Sequence, residues 1–557
     1  MEKKAGRVFL YTICFACIML IDFTRGSLAW KYWAPFVNMT GIVMSVIMLS
    51  HFSLKRVPLK KYLVWFLIWL PVSGIGYILW QRDSYSIFVS QYVTGIIVMG
   101  CLGVVAVHLW QERKSLQNAS LGNPFLVALW VVLSVLMLFS RLSEFWPMWY
   151  LVMFGMFYLI PFTKAEKDAL WDGAANGVIL GFFLLQIFAY GFRPYDAVRY
   201  SGAYSNCNIN AMMYLAAFIM TLYKLHCLYW EKGEGKTKRQ TRKRRLLTLF
   251  YVVLAGGLFS FILFTMARTA LLVAVAILVV FGILEAWILR KMKWWKLVLR
   301  AGALCLCVVL TFPVVYVTIR YLPTILTHPV WFGSEYNEAK VHSFDPYDST
   351  KYISWEEAMQ TMLGRFYLTS GEGLEEDNSI SKEETTILLA SNNSGAERQI
   401  LASLTATATD GEQSLTEEAD ALLSKEDSIN SVKVRLAIYE KYWKHLNLTG
   451  HTQQEGYFQI TENYHAWHAQ NVFLQVAFYH GIPAGICLVL LILGLGIKAL
   501  KLGFKGRRRE DILPLFIILF FVGYGMFETV WYLGQSVLFF MYLVPKILID
   551  SRTEEII

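Results

Sequence analysis

Apolar runs of about 20 residues recur along most of the chain, separated by short polar connections, and each is long enough to cross a ~30 Å hydrocarbon core as a helix. The pattern predicts about fourteen spans, at 7–24, 33–50, 61–80, 86–110, 124–140, 146–162, 173–191, 209–229, 246–266, 269–289, 299–321, 478–499, 512–532 and 534–550. They group into an N-terminal set of seven (1–195), a central set of four (196–322) and a C-terminal set of three (471–557), with one long polar connection (323–470) before the last set. The expected fold is an all-α polytopic transmembrane bundle with one large extracytoplasmic loop. The start, MEKKAGRVFLYTICFACIMLIDF, is basic and then apolar but lacks a small-x-small cleavage pattern, so it reads as a retained first span.

Composition agrees with a bilayer as the solvent. Of 557 residues 56% are hydrophobic and 17% charged, and the mean hydropathy is +0.45. The net charge of +10 is compatible with nucleic acid or with a membrane, and its distribution decides for the membrane. Lys232–Arg245, Arg290–Arg300 and Lys498–Arg509 are strongly basic connections, cytoplasmic under the positive-inside rule. Counting spans back from them puts the N-terminal lysines and Lys55, Arg56, Lys60 and Lys61 on the same side. The expectation is a plasma-membrane protein with both termini cytoplasmic and 323–470 outside. Within that loop, Gly371–Asn430 has no aromatic residue or proline and carries fourteen acidic against three basic residues, so it reads as weakly ordered. Its flanks PVWFGSEYN and VRLAIYEKYWKHLNLTGH are amphipathic enough for short helices. Seven of the eight cysteines lie in apolar spans, Cys207 being the exception, and no disulfide framework is implied.

Four polar clusters fall at the outer level of this topology. DAVRYSGAYSNCNIN (Asp196–Asn210) precedes the span at 209–229, and MARTA (Met266–Ala270) forms a tight turn between two spans. SVKVRLAIYE carries Arg435 in the large loop, and HAQNVFLQVAFYHGIPAG starts at His468. In the last, His468, Asn471 and Gln475 are spaced by three and four, which predicts one polar helical face, and Gly481–Pro483 predicts a break before the next span. The clusters at Asn208, Arg268 and His468 each precede a span running inward, hence an outward-facing helix N-terminus with free N–H donors. Adding Arg199, Arg268 and Arg435 makes a site suited to a phosphate or pyrophosphate, because the planar guanidinium donates in pairs and stays charged. Each piece also has an ordinary explanation: an arginine snorkelling to headgroups, which we expect of Arg320, an asparagine N-cap at Asn206 or Asn208, and a solvated interfacial histidine, which we expect of His465.

Taken in order, R-x-x-G-x-x-x-N-x-N at Arg199–Asn208, the R-T-A turn at Ala267–Ala270, R-x-x-x-Y at Arg435–Tyr439 and HAQN-x-x-LQ…GIP at His468–Pro483 resemble the O-antigen ligase and O-antigen polymerase (Wzy-type) superfamily. The resemblance is specific over roughly 195–290 and 430–550; the first 170 residues match only as apolar spans. It implies a metal-free, cofactor-free glycosyltransferase of cell-envelope biogenesis. Such an enzyme moves glycan from a polyprenyl-diphosphate (undecaprenyl-type) carrier to a glycan or lipid acceptor at the outer face of the membrane, without nucleic acid. Carried over, Arg199 and Arg268 contact the diphosphate, Arg435 assists them, His468 is the base, and Asn206, Asn208 and Asn471 shape the pocket. The polar stripe would then line the floor of the site, with His468 toward the acceptor and Asn471 and Gln475 toward glycan or diphosphate. The chain departs from the family at Cys207, where many members have proline, at Ala267, where serine is common, and at Gln470, which stands where the histidine often immediately precedes the asparagine. His468 lies two residues earlier, about 200° around a helix. The base is then His468 presented from an unwound segment, or another group such as His465 or a loop carboxylate.

Independently of the resemblance, the residues offer arginines and helix N-termini for a departing anion, no HExxH, and only a D-x-x-D pair at Asp345 and Asp348 toward a metal. The rival readings are a lipid-linked oligosaccharide flippase or polysaccharide transporter, and a sensory or structural membrane protein. Asp22, Glu285 and Glu528 lie near span ends rather than at midplane, which disfavours proton-coupled transport.

Overall fold

The computed structural model describes residues 2–23, 33–52, 58–81, 89–113, 123–142, 146–193, 195, 199–204, 206–230, 237–288, 294–326, 353–366, 427–461, 464–466, 468–505, 509–528 and 543–544. In chain order the helices are α1 (Glu2–Phe23), α2 (Trp33–Leu49), α3 (Leu59–Gln81), α4 (Val89–Gln111), α5 (Pro124–Leu138), α6 (Trp146–Leu159), α7 (Lys164–Phe192) and α8 (Cys207–Trp230). They continue with α9 (Lys238–Phe264), α10 (Arg268–Ile288), α11 (Trp294–Leu326), α12 (Trp355–Phe366), α13 (Asp427–Lys444), α14 (Val472–His480), α15 (Ile482–Lys505) and α16 (Leu513–Gly525).

The described residues are thus almost entirely helical. Among the described residues, seven helices are long and apolar enough to cross a membrane, in α1, α7, α8, α9, α10, α11 and α15, and four apolar stretches are shorter: Thr40–Leu49, Gly95–Gln111, Pro124–Leu138 and Leu513–Gly525. Outward-facing Leu, Val, Ile and Phe side chains on α3 and α11 are compatible with a membrane protein. The first thirteen expected spans each overlap a helix. The fourteenth, 534–550, lies outside the described residues apart from 543–544, as do PVWFGSEYN, Asp345, Asp348 and the acidic stretch from 371 to 426. Residues 427–430 begin α13, which covers most of the second amphipathic flank.

Two small elements in the long connection go beyond the sequence expectation. A two-stranded antiparallel hairpin pairs β1 (Phe458–Thr461) with β2 (Tyr464–Ala466). Helix α12 is started by a reciprocal cap in which Ser354 N–H donates to Glu357 Oε2 (3.0 Å) and Glu357 N–H to Ser354 Oγ (3.1 Å). Trp355 packs edge-on against Tyr316 of α11.

The most extensive helix packing joins α1 to α7. Gly173, Gly177 and Gly181 repeat every fourth residue, so they form one stripe, and a Cβ on Gly177 would lie 2.5 Å from the Thr12 carbonyl oxygen and 2.6 Å from Phe15 Cβ. Small residues permit this approach where lipid offers no hydrophobic drive. Gly177→Leu is therefore expected to destabilise the bundle by about 2–3 kcal/mol. Thermal melts of the solubilised chain check this, with Gly191→Ala, which has open space around its Cα, as the silent control.

Helix directions separate two ends. At one, Glu166 takes Arg7 (2.9 Å) and His51 (3.1 Å), Asp172 takes Lys224 (3.0 Å) and Arg509 (3.0 Å), and Glu285 takes His226 and Arg300 (3.0 Å). Buried carboxylates survive only when paired in this way. From Glu166 to Arg193, α7 runs roughly 40 Å at 1.5 Å per residue, and at the far end the polar clusters of interest are found. Arg320 lies there too. It is buried rather than snorkelling, donating from Nε to the Ile353 carbonyl (3.0 Å); the expectation of a headgroup anchor is corrected, because the long connection folds back over it and supplies the acceptor.

Candidate functional site

Arg193, just past α7, organises the first cluster. Buried, it donates from Nε to the Gly202 carbonyl (2.9 Å) and from Nη2 to Ser201 Oγ (3.1 Å) and the Tyr204 carbonyl (3.3 Å). This folds 199–204 into a turn with Gly202 at φ +57°, where a Cβ would strike the Asn210 side chain; only glycine takes that conformation at little steric cost. Tyr200 N–H then joins the Phe264 carbonyl (3.0 Å), and Arg199 lies against the 265–268 turn. Its Nε donates to the Thr265 carbonyl (3.0 Å) and its Nη2 to Asn208 Oδ1 (2.6 Å).

The two asparagines differ. Asn206 Oδ1 accepts from the Asn208 N–H (2.8 Å), the ordinary role of a residue opening a helix. Asn208 is a bridge: with its oxygen on Arg199, its Nδ2 donates to Glu528 Oε1 (2.8 Å). Tyr524 of α16 fixes the same residue by donating to the Asn208 carbonyl (2.6 Å). Arg435 of α13 approaches the same Glu528 oxygen from another side (4.0 Å). Arg268 is the first residue of α10, following Met266 in the left-handed region (φ 49°), and is half-buried.

The stripe from His468 is not one helical face. Helix α14 starts only at Val472, with Asn471 extended (φ −154°, ψ 119°) as its N-cap, accepting from Phe473 N–H (3.0 Å) and Leu474 N–H (3.1 Å). Gln470 at φ 47° turns the chain before it, so His468 stands on an unwound segment, half-buried. Gln475 folds back to accept the Ala469 N–H (2.7 Å). The correction has a local cause: side-chain-to-backbone bonds from Asn471 and Gln475 satisfy donors that a continued helix would have paired. The break at Gly481 (φ 90°) separates α14 from α15 as the sequence predicts.

Two ties join this segment to the Glu528 turn. Tyr439 of α13 directs its hydroxyl at the carbonyls of Met526 (2.8 Å) and Gln470 (3.3 Å), and Asn471 Nδ2 donates to the Met526 carbonyl (3.2 Å). Ile438 and Tyr442 seat α13 on Ala466, Ala469 and Phe478. His465 stacks on Tyr457 at 4.7 Å, so it is a partly covered hairpin residue. Packing around His468 disfavours its charged form and lowers its pKa to about 4.

Arg199, Asn206, Asn208 and Arg435 are thus brought together, Asn471 is tied to the same turn, and Arg268 and His468 open the adjoining segments. Sequence reasoning missed Arg193 and Glu528 as members and named Tyr439 only as the end of the R-x-x-x-Y motif, with no role. A carboxylate near a span end has no local signature when its partner is 320 positions away. Among the described residues no three His, Cys, Asp or Glu side chains are grouped as a metal site. No protein-family model matches the chain, and no curated protein matches it significantly.

Proposed function

We propose that the chain is a polytopic membrane glycosyltransferase that moves glycan from a polyprenyl-diphosphate carrier to a hydroxyl of a glycan or lipid acceptor, as an O-antigen ligase or a surface-polysaccharide polymerase does. The observation that supports it best is the meeting of positions 199, 208, 435 and 528 in one hydrogen-bonded and ionic relay, at the end of the bundle away from the paired arginines and lysines. Sidedness then follows from the basic connections: both termini are cytoplasmic and the site is extracytoplasmic. Arg199, Arg268 and Arg435 hold the diphosphate. His468, neutral at physiological pH, takes the acceptor proton as the acceptor oxygen bonds to the anomeric carbon. The carbon–oxygen bond to the diphosphate breaks, and polyprenyl diphosphate leaves with the electron pair, its charge met by the guanidinium groups. Asn471, in this scheme, holds the His468 segment rather than facing the glycan.

The expected outcome in cells is specific. A strain lacking the gene and complemented with Arg268→Ala at normal protein level should lose polymeric envelope glycan on gels and accumulate carrier-linked units on the outer leaflet. Accumulation on the inner leaflet instead would favour a flippase, and unchanged glycan would remove Arg268 from the site.

A further inference from the structure

Glu528 lies in the turn beyond α16, at the centre of the relay. Its Oε1 accepts from Asn208 Nδ2 (2.8 Å) and faces Arg435 (4.0 Å), while Asn208 in turn accepts from Arg199 (2.6 Å). The Glu528 and Arg435 side chains keep 24% and 31% of their surface, so a ligand can reach the pair. The charged groups around the carboxylate are Arg435, and Arg199 by way of Asn208. The neighbouring hydroxyls of Tyr524 and Tyr439 are directed at the Asn208 and Met526 carbonyls. A carboxylate thus sits beside Arg435 and one side chain removed from Arg199.

We propose that Glu528 is a positioning residue and built-in counter-anion: it holds Asn208 and Arg435 in place in the free chain, and yields Arg435 to the donor diphosphate while taking up a proton. The proposal rests on the glycosyltransferase reading. A diphosphate beside Arg435 places like charge next to Glu528 and favours its neutral form. The protonated carboxyl still accepts from Asn208 through its carbonyl oxygen, so the relay keeps its shape while its negative charge is removed. Binding of the donor is then strongest at low pH, falls as pH rises between the free-state and bound-state pKa of Glu528, and is level above the latter.

The test uses the full chain in zwitterionic nanodiscs and, as probe, a polyprenyl diphosphate bearing one sugar, a diphosphate diester whose two strongly acidic groups stay ionised and do not titrate near neutrality. Affinity is followed from about pH 5 to about pH 8, above the region in which His468 ionises. For the wild type we expect falling affinity and proton uptake from a weakly buffered dye solution on binding. For Glu528→Gln we expect about tenfold tighter binding at the alkaline end and a flat profile, one pKa unit being a factor of ten. Wild-type affinity and slope in Glu528→Gln would overturn the proposal. So would binding without proton uptake, which the wild type alone reveals even if the variant does not fold. Loss of probe binding in anionic-lipid discs would make this a headgroup site, also against the proposal. If the wild type binds no probe in either lipid, the glycosyltransferase reading itself fails.

Discussion

Arg199→Ala is expected to lower kcat/KM for glycan transfer by two to three orders of magnitude, about 3–4 kcal/mol of transition-state stabilisation. The expectation comes from how the guanidinium is held. Two of its five N–H donors are committed to the Thr265 carbonyl and Asn208 Oδ1, which fixes its plane and leaves the others for the departing diphosphate. Arg199→Lys restores charge without that planar fork, so it should recover only part of the loss. Asn208→Ala should be costly too, and the double variant less costly than the two singles combined, because both remove one relay. Steady-state assays on the purified chain check all three. Activity of Arg199→Ala within threefold of wild type would exclude it from diphosphate stabilisation.

His468→Ala should cost about a hundredfold to ten-thousandfold in kcat, the usual range for a general base, with the donor KM little changed. The pH profile carries the sharper expectation. A histidine pKa lowered to about 4 keeps the proton-accepting form present above that pH and removes it as pH falls through it. The acid limb assigned to His468 should therefore lie near pH 4 rather than at the ordinary histidine value near 6.5, and be missing from the residual activity of His468→Ala. A limb that stays in place in the variant assigns the base to another group.

The helices were the most legible part of the sequence because long apolar runs need no knowledge of partners, and among the described residues seven of them are long and apolar enough to cross a membrane. That Arg199, Asn208 and Arg435 come together was an expectation from motif and expected sidedness combined, and the structure joins them through Glu528. The His468 segment was misread as helical because spacing of three and four mimics a helix face. The competing signal, an asparagine directly before the apolar run Val472–Leu474, is an N-cap pattern and locates the true start of α14. The hairpin escaped because strands of four and three residues are too short to show alternation. The Gly173, Gly177 and Gly181 stripe was readable as small residues every fourth position. Arg320 and Glu528 were hidden for a common reason: their partners, Ile353 and Asn208, are brought to them by the tertiary fold, and a charge at a span end otherwise looks like an anchor.

The most direct test of glycosyl transfer is reconstitution of the purified chain in liposomes carrying a radiolabelled polyprenyl-diphosphate-linked glycan in one leaflet, with acceptor supplied to either face. The predicted result is label on the acceptor and release of polyprenyl diphosphate only when acceptor and donor share the extracytoplasmic face, with both products formed at least about a hundredfold more slowly in Arg199→Ala. Movement of intact carrier-linked glycan between leaflets, with no new glycosidic bond, would contradict it.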